Sequence, residues 1–559
     1  MTTNRNLRFL LATGLYLALA ILWTLPVWVG GGRLLGVGLG YGVGDPIQRA
    51  WSTAWTPFAI SHGINPFYTT FLHAPLGLNY MWPAPDVAFN LLAWPVTALL
   101  GVESGFNAQI VIGIVASALG FYMLALRWTS RWWLAVLGGA MFGFSPYVVS
   151  EVVMGHSYLM EMMAIPVIAL ALDEMLLRQS WSPRRVGFLL GGAVTVQLVT
   201  SEELLLDVFI VVVLGVTLLA LLNLDEVPKR FGYVTRCILW SGLLAPVFVG
   251  LLGFQLLGPN ALHGNVFDGS AWTAPPVTFF LPNSYQLLTT SSSSYLTWRS
   301  FAGLPELSTY IGLPVIAMML IAITRWRSKQ LAWLSAMILV SICLAMGGML
   351  IAAHFISLSL LFSDIPVRFS AITDLLVVLM VVFVADYGLS AWRWPMRFLL
   401  CLIVASWLPA LAVPFSSPSV PKWFSDGVHL RSSNSVVLVL PYAFSPQTDI
   451  AMLWQAESGM RFRMPEGYFT GESLAVDSYH DKGALPFIKE LMSLDAGSLK
   501  NKSHAILERS AHQYFRDTGV RYVVIGPSAH ERVQLQVIRS LLRVRGREVA
   551  GVFLFNVGA

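Results

Sequence analysis

Charge is what this sequence has least of. Only 12% of its 559 residues are Asp, Glu, Lys or Arg, while 56% are hydrophobic; a soluble globular chain carries about 25% charged residues. So little charge cannot cover a water-facing surface of this size, and with a mean hydropathy of +0.66 lipid is the main solvent. Cysteine is scarce too: Cys237, Cys343 and Cys401 all lie in or beside apolar runs, so no disulfide framework is implied. Internal repeats are lacking, as are low-complexity tracts beyond a glycine-rich run before Asp45 and the serines at 291–294. No concentrated basic patch marks a nucleic-acid partner, because the net charge of +5 is dispersed in short clusters.

What is present is a succession of apolar runs, each near the ~20 residues that cross a bilayer. Between them lie Arg5 and Arg8, Arg127 and Arg131, Arg178 with Arg184 and Arg185, Lys229 and Arg230, Arg325 with Arg327 and Lys329, and Arg393 with Arg397. These fall at every second loop, which the positive-inside rule assigns to the cytoplasm. The pattern predicts about eleven spans, at 8–29, 107–126, 132–148, 158–177, 186–201, 204–222, 233–254, 310–325, 331–353, 368–390 and 396–413. The first run is read as a retained span, since it is long for a signal-peptide core and lacks a clear cleavage site. The N-terminus is then cytoplasmic, the C-terminal part is extracytoplasmic, and large outer segments cover about 30–106 and 255–309. The stretch Asp86–Gly101 reads as an interfacial or re-entrant helix, because counting it as a span would put Arg127 and Arg131 outside.

Composition shifts after Pro414. SVVLVLPY, RYVVIGP and VAGVFLFNV read as strands, and FIKELMSL and ERSAHQYFRDTG as amphipathic helices. The expected organisation is an α-helical polytopic membrane domain over 1–413 and a small extracytoplasmic α/β domain over 414–559.

GVGLGYGVGDP has the glycine spacing of a dinucleotide fingerprint but neither the preceding strand nor the βαβ unit that motif requires, so it reads as a loop. Asp45 ends this run. Taken alone, an Asp-Pro at this place is a helix cap. The order of features around it says more: a first span, an early outer acid, the long loop NPFYTTFLHAPLGLNYMWPAP, a membrane-facing helix, then pairs of spans with short loops. With FGFSPYVVSEVVMGH (Phe142–His156) and PVRFS (Pro366–Ser370), this arrangement resembles the GT-C class of integral-membrane glycosyltransferases, which use polyprenyl-phosphate-linked sugars. The resemblance covers most of residues 1–413, and the C-terminal domain fits actinobacterial-type members.

The resemblance implies a GT-C-like fold in the plasma (inner) membrane and transfer of a sugar, with inversion, to an extracytoplasmic glycan, lipid or protein acceptor. Asp45 is implied as the general base. Pro46 stands where several relatives carry a second carboxylate. Candidate second acids or substrate contacts are Glu151, His156, Glu202, Glu203 and Glu306. Arg368, Arg299 and Arg49 are candidates for the donor phosphate, because a guanidinium binds phosphate oxygens bidentately; Arg49 could equally pair with Asp45. Glu161 and Asp374 are ionisable groups inside apolar runs, which tend to face a cavity. No zinc-type ligand spacing is visible, and a divalent cation stays open. Asn501-Lys502-Ser503 is a common short sequon. The rival readings are a flippase or other lipid or glycan transporter, whose expected repeats are lacking, and an inactive scaffold with an outer glycan-binding domain.

Overall fold

The computed structural model describes residues 2–36, 44–262, 272–301, 306–326, 328–347, 365–411, 413–426, 435–469, 485–495 and 504–557. The Asn501 sequon, most of the glycine-rich run, and parts of the 255–309 loop lie outside them.

The chain is an α-helical polytopic membrane protein. Among the described residues five helices are long and apolar enough to cross a bilayer: Arg5–Trp23, Val102–Ala125, Trp132–Met154, Glu202–Leu222 and Pro366–Ala391. A sixth crossing arises if Leu224–Gly242 and Ala245–Leu257, bent by 56°, form one span, and shorter apolar helices occupy Val87–Leu100, Leu313–Arg325 and Lys329–Ala345. Pro366–Ala391 is strongly apolar apart from Arg368, Asp374 and Asp386 and is almost wholly buried, the signature of a central bundle helix. Arg5–Trp23 exposes Leu10 and Leu22, which suits lipid and would be unfavourable in water. The expected span at 158–177 is not one helix. Ser157–Met160 and Ala164–Asp173 are separated by a break at Glu161–Met163, and the second runs into a π-helical turn, Glu174–Arg178.

The first long loop is folded. Helix Asp45–Ser61 carries the stacked, fully buried rings of Trp51 and Trp55, 5.6 Å apart. Helix Val87–Leu100 follows and turns at Gly101 directly into Val102–Ala125.

The C-terminal part is an α/β unit whose four strands lie in the order Val436–Leu440, Val520–Ile525, Val552–Asn556, Arg547–Val549. The first pair is parallel and the others antiparallel. A parallel pair needs a long crossover, here supplied by Ile450–Glu457, Pro486–Asp495 and His504–Thr518. Helix Glu531–Leu542 and strand Arg547–Val549 add to the elements expected from sequence. Strand alternation sorts the core: Leu438, Leu440, Val523 and Ile525 pack under the domain's own helices, whereas Val437, Val439, Tyr522 and Val524 join the core that continues into the membrane helices.

The two parts are joined by hydrogen bonds as well as by this core. Gln455 Oε1 accepts from Trp51 Nε1 at 2.7 Å, while Gln455 Nε2 donates to the carbonyls of Phe71 (2.8 Å) and Phe462 (2.9 Å). Gln48 Nε2 donates to the Tyr468 carbonyl at 2.6 Å. Gln455→Leu leaves the Trp51 indole N–H and the Phe462 carbonyl without this partner, at about 1–3 kcal/mol for each group left unpaired, while the Phe71 carbonyl keeps the Met464 N–H at 2.8 Å. The expected result is a clearly lower melting temperature with faster proteolysis of the C-terminal domain; unchanged values for both would show that this junction carries no stability.

Candidate active site

Gly44, with φ +50°, occupies the cap position before helix Asp45–Ser61, so the Asp45 carboxylate is not spent on capping. Pro46, in the first turn, lies against Gly155. A Cβ at Gly155 would sit 2.4 Å from Pro46 Cγ, and its φ of +78° independently favours glycine. Gly155 closes helix Pro146–Met154 and delivers the next residue, His156, beside Asp45. Asp374, buried in the central span, accepts from the Tyr147 backbone N–H at 3.1 Å and so holds the start of that helix.

His156 bridges two carboxylates. Its Nε2 lies 3.0 Å from Asp45 Oδ2 and its Nδ1 lies 2.7 Å from Glu151 Oε2. Burial alone would lower the histidine pKa, but the hydrogen bonds to Asp45 and Glu151 outweigh it and raise the value to about 10. The ring is therefore an imidazolium at neutral pH, donating to both acids. For Asp45 burial pushes upward, yet the bond and charge of His156, with Arg49 and Arg368 nearby, hold its pKa below the ordinary value. Asp45 is thus ionised, with Oδ2 engaged and its side chain still 14% exposed.

Arg368 stands in the turn Pro366–Phe369 at the head of the central helix. Its Nη2 donates to Glu306 Oε1 at 2.9 Å and its Nε to Glu306 Oε2 at 3.3 Å, while Nη1 contacts Glu203 Oε2. Glu306 is buried, whereas the Glu203 side chain is 22% exposed. Glu202, beside Glu203 at the start of the same helix, faces Gln255. Arg49 does not pair with Asp45. It donates to the carbonyls of Pro83 (2.8 Å) and Ala84 (3.0 Å) and lies 4.0 Å over the Tyr158 ring.

Asp45, Arg49, Glu151, His156, Glu202, Glu203, Glu306 and Arg368, spread over more than 300 positions of sequence, thus share one neighbourhood. Arg299 is not gathered with them: it is exposed at the end of helix Ser291–Ser300 and bonds the Tyr295 hydroxyl at 3.1 Å.

Two further acids belong to the neighbourhood. Asp86 Oδ2 accepts from Gln109 Nε2 at 2.5 Å and from Ser157 Oγ at 3.1 Å, with Glu161 beside it in the helix break; burial pushes the Asp86 pKa up. Asp449, from the C-terminal domain, is 1% exposed, and its Oδ2 has no hydrogen-bond partner among the described residues. Its neighbour Pro446 presses on Gly44. Burial, then the charge of Asp45, pushes the Asp449 pKa well above the usual range, which favours its protonated form. Asp449 stands in the cap position before Ile450–Glu457, yet it makes no capping bond.

A resident divalent cation does not fit these residues as they sit. The one histidine spends both ring nitrogens on carboxylates, and among the described residues no three His, Cys, Asp or Glu side chains are disposed to hold a metal ion.

No protein-family model and no curated protein matches the chain. Solved structures do. The single-particle cryo-EM structure of arabinofuranosyltransferase AftD from mycobacteria aligns with 99% of this chain and 40% of its own length, at a TM-score of 0.58 and 16% identity. A class from a mutant of the same enzyme aligns with 99% and 41%, at 0.55 and 15%. ArnT from Cupriavidus metallidurans, solved with undecaprenyl phosphate, aligns with 100% and 99%, at 0.49 and 10%. The chain spans about two fifths of the length of the arabinofuranosyltransferase. With its helical membrane domain, folded first loop and C-terminal α/β unit, this chain has the fold of the GT-C membrane glycosyltransferases.

Proposed function

We propose that this protein transfers a sugar from a polyprenyl-phosphate donor to a hydroxyl of an extracytoplasmic glycan, lipid or protein acceptor, with Asp45 as general base. The observation that carries the reading is the chain Glu151–His156–Asp45, which holds one carboxylate ionised and oriented with an oxygen to spare, in the same polar neighbourhood as Arg368. The N-terminus and the basic loops face the cytoplasm in this reading, and the Asp45 end faces outward.

The acceptor oxygen attacks the anomeric carbon opposite the phosphate. As the new C–O bond forms, its proton passes to the free oxygen of Asp45. A carboxylate of low pKa suits a late transfer, because the hydroxyl becomes strongly acidic only as the bond forms. The bond from the anomeric carbon to the phosphate oxygen breaks, its electron pair leaves with the polyprenyl phosphate, and configuration inverts.

Arg368 meets the charge that develops on the leaving phosphate. In the structure its donors are taken by Glu203 and Glu306. The donor phosphate displaces Glu203, the more exposed partner, while buried Glu306 keeps the guanidinium aimed. Asp449, whose Oδ2 has no partner among the described residues and whose burial favours the protonated form, offers an O–H to a sugar hydroxyl.

With purified full-length protein, a panel of labelled polyprenyl-phosphate sugars and a cell-wall glycan extract, Asp45→Asn should lower transfer by about 10²–10⁴-fold, the usual worth of a general base. Asp449→Asn, which keeps a donor, should lower it far less. Transfer that survives Asp45→Asn moves the base elsewhere, and no transfer with any donor in wild type removes the reading.

Stability should report the imidazolium. A histidine whose pKa is raised on folding contributes fully below its unfolded value of about 6.5, and this contribution fades as pH climbs toward about 10. Asp45, depressed on folding, contributes above its unfolded value of about 3.9 and loses that contribution only in acid. Melting temperature should therefore fall between about pH 6.5 and 10 in wild type and fall less in His156→Gln. Equal slopes would show that His156 is not charged in the fold.

Gly155→Ala tests the placement. The added methyl meets Pro46 and a disfavoured φ, a cost of about 1–3 kcal/mol, and should separate Asp45 from His156. Transfer should drop at least tenfold in protein that still folds; full activity would mean that the Pro46 contact does not position the base.

A further inference from the structure

At the end of the bundle opposite Asp45 lies a cavity of about 870 Å³, within the range of ligand-sized pockets. Its walls are apolar, formed by side chains such as Leu172, Val212, Leu375 and Leu379. It reaches as far as Ile372, four residues beyond Arg368, and Val208, five beyond Glu203. At 1.5 Å per residue it therefore stops about 6–8 Å below the site.

The other end is cationic. Of four basic side chains there, Arg127 is paired with the buried Glu174 and Arg178 with Asp173. Among the described residues Arg230 has one acid partner, the exposed Glu226 at 3.4 Å, a pairing worth little, and its Nη1 donates to the neutral carbonyls of Leu176 (2.9 Å) and Leu177 (2.5 Å). Lys329 Nζ bonds two neutral acceptors, the Leu222 carbonyl (3.0 Å) and Asn223 Oδ1 (3.2 Å); an ammonium has three N–H donors, so one is unspent among the described residues. An apolar chamber with two incompletely neutralised cations at its mouth complements an amphiphile with an anionic head, and basic pockets between membrane helices recognise such headgroups.

We propose that this chamber binds an anionic phospholipid from the leaflet at the basic end, its phosphate at Arg230 and Lys329 and an acyl chain rising between the helices toward Arg368. The occupant is not the sugar donor, whose phosphate belongs at the opposite end. The chain packs against Ile372, Leu375 and Leu379 of the helix that carries Arg368, so the bound lipid buttresses the site from below. The inference rests on the proposed topology for which leaflet supplies the lipid, and its binding test does not depend on sugar transfer.

Purified full-length protein, delipidated in detergent, is titrated with phosphatidylglycerol or phosphatidylcholine and read by native mass spectrometry. Wild type should bind phosphatidylglycerol at least tenfold more tightly. Each cation removed, in Arg230→Gln and Lys329→Gln, should weaken it about fivefold, with phosphatidylcholine unaffected. Ala169→Phe, at a lining position, should weaken both lipids while keeping the cations. Equal affinity for the two lipids, or a preference that survives the double Gln variant, would overturn the proposal and leave ordinary annular lipid. Displacement of phosphatidylglycerol by polyprenyl phosphate at equal concentration would overturn it in favour of the donor's own tail. If Ala169→Phe does not fold, the Gln variants alone decide.

Discussion

The His156 imidazolium, buried between Asp45 and Glu151, is the interaction on which the rest of the site depends. It ties the first loop's helix to the end of the span Trp132–Met154, and it exists only because Pro46 and Gly155 meet without a Cβ between them. A buried charge is tolerated only when it is paired and hydrogen-bonded, and here each ring nitrogen has its own carboxylate. The arrangement supplies what Pro46 denies to a paired-acid motif: a second carboxylate acts on Asp45 from 106 positions away in sequence, through a histidine.

Around that pair the neighbourhood carries more acid than base. Arg368 is shared by Glu203 and Glu306, and Asp86, Glu161 and Asp449 add buried carboxyl groups. Such a site is under electrostatic tension until protons or a ligand relieve it. Raised pKa values at Asp86 and Asp449 provide part of that relief. The C-terminal domain shapes the site directly, since Gln455, Tyr468 and Asp449 reach the helix that Asp45 begins. Sheet strands that alternate between two cores make this possible, with one face for the domain's own helices and one for the membrane part.

Several features were legible in sequence because they depend on short-range pattern. Apolar length marked the main spans, short apolar runs rich in β-branched residues marked Val436–Leu440 and Val520–Ile525, and Asp45 stood out as an acid soon after the first span. Patterns that depend on partners were not legible. The run 158–177 is apolar enough for a helix but breaks at Glu161, beside Asp86 and Gln109. Arg299 and Arg368 were both candidates for the donor phosphate, yet one is exposed and the other lies between two glutamates. Asp449 drew no notice in the sequence, because its place beside Asp45 depends on how the C-terminal domain packs.

Sequence by itself determined the solvent of this protein, its helical membrane class and its C-terminal α/β unit. Composition and periodicity act locally, through the cost of exposing apolar surface or burying unpaired backbone. Tertiary structure alone decided which ionisable groups share a site, which of them carry charge, and that the C-terminal domain helps to build it. Those outcomes depend on distances between segments that are remote along the chain, and both Coulomb energy and desolvation vary with such distances rather than with residue type.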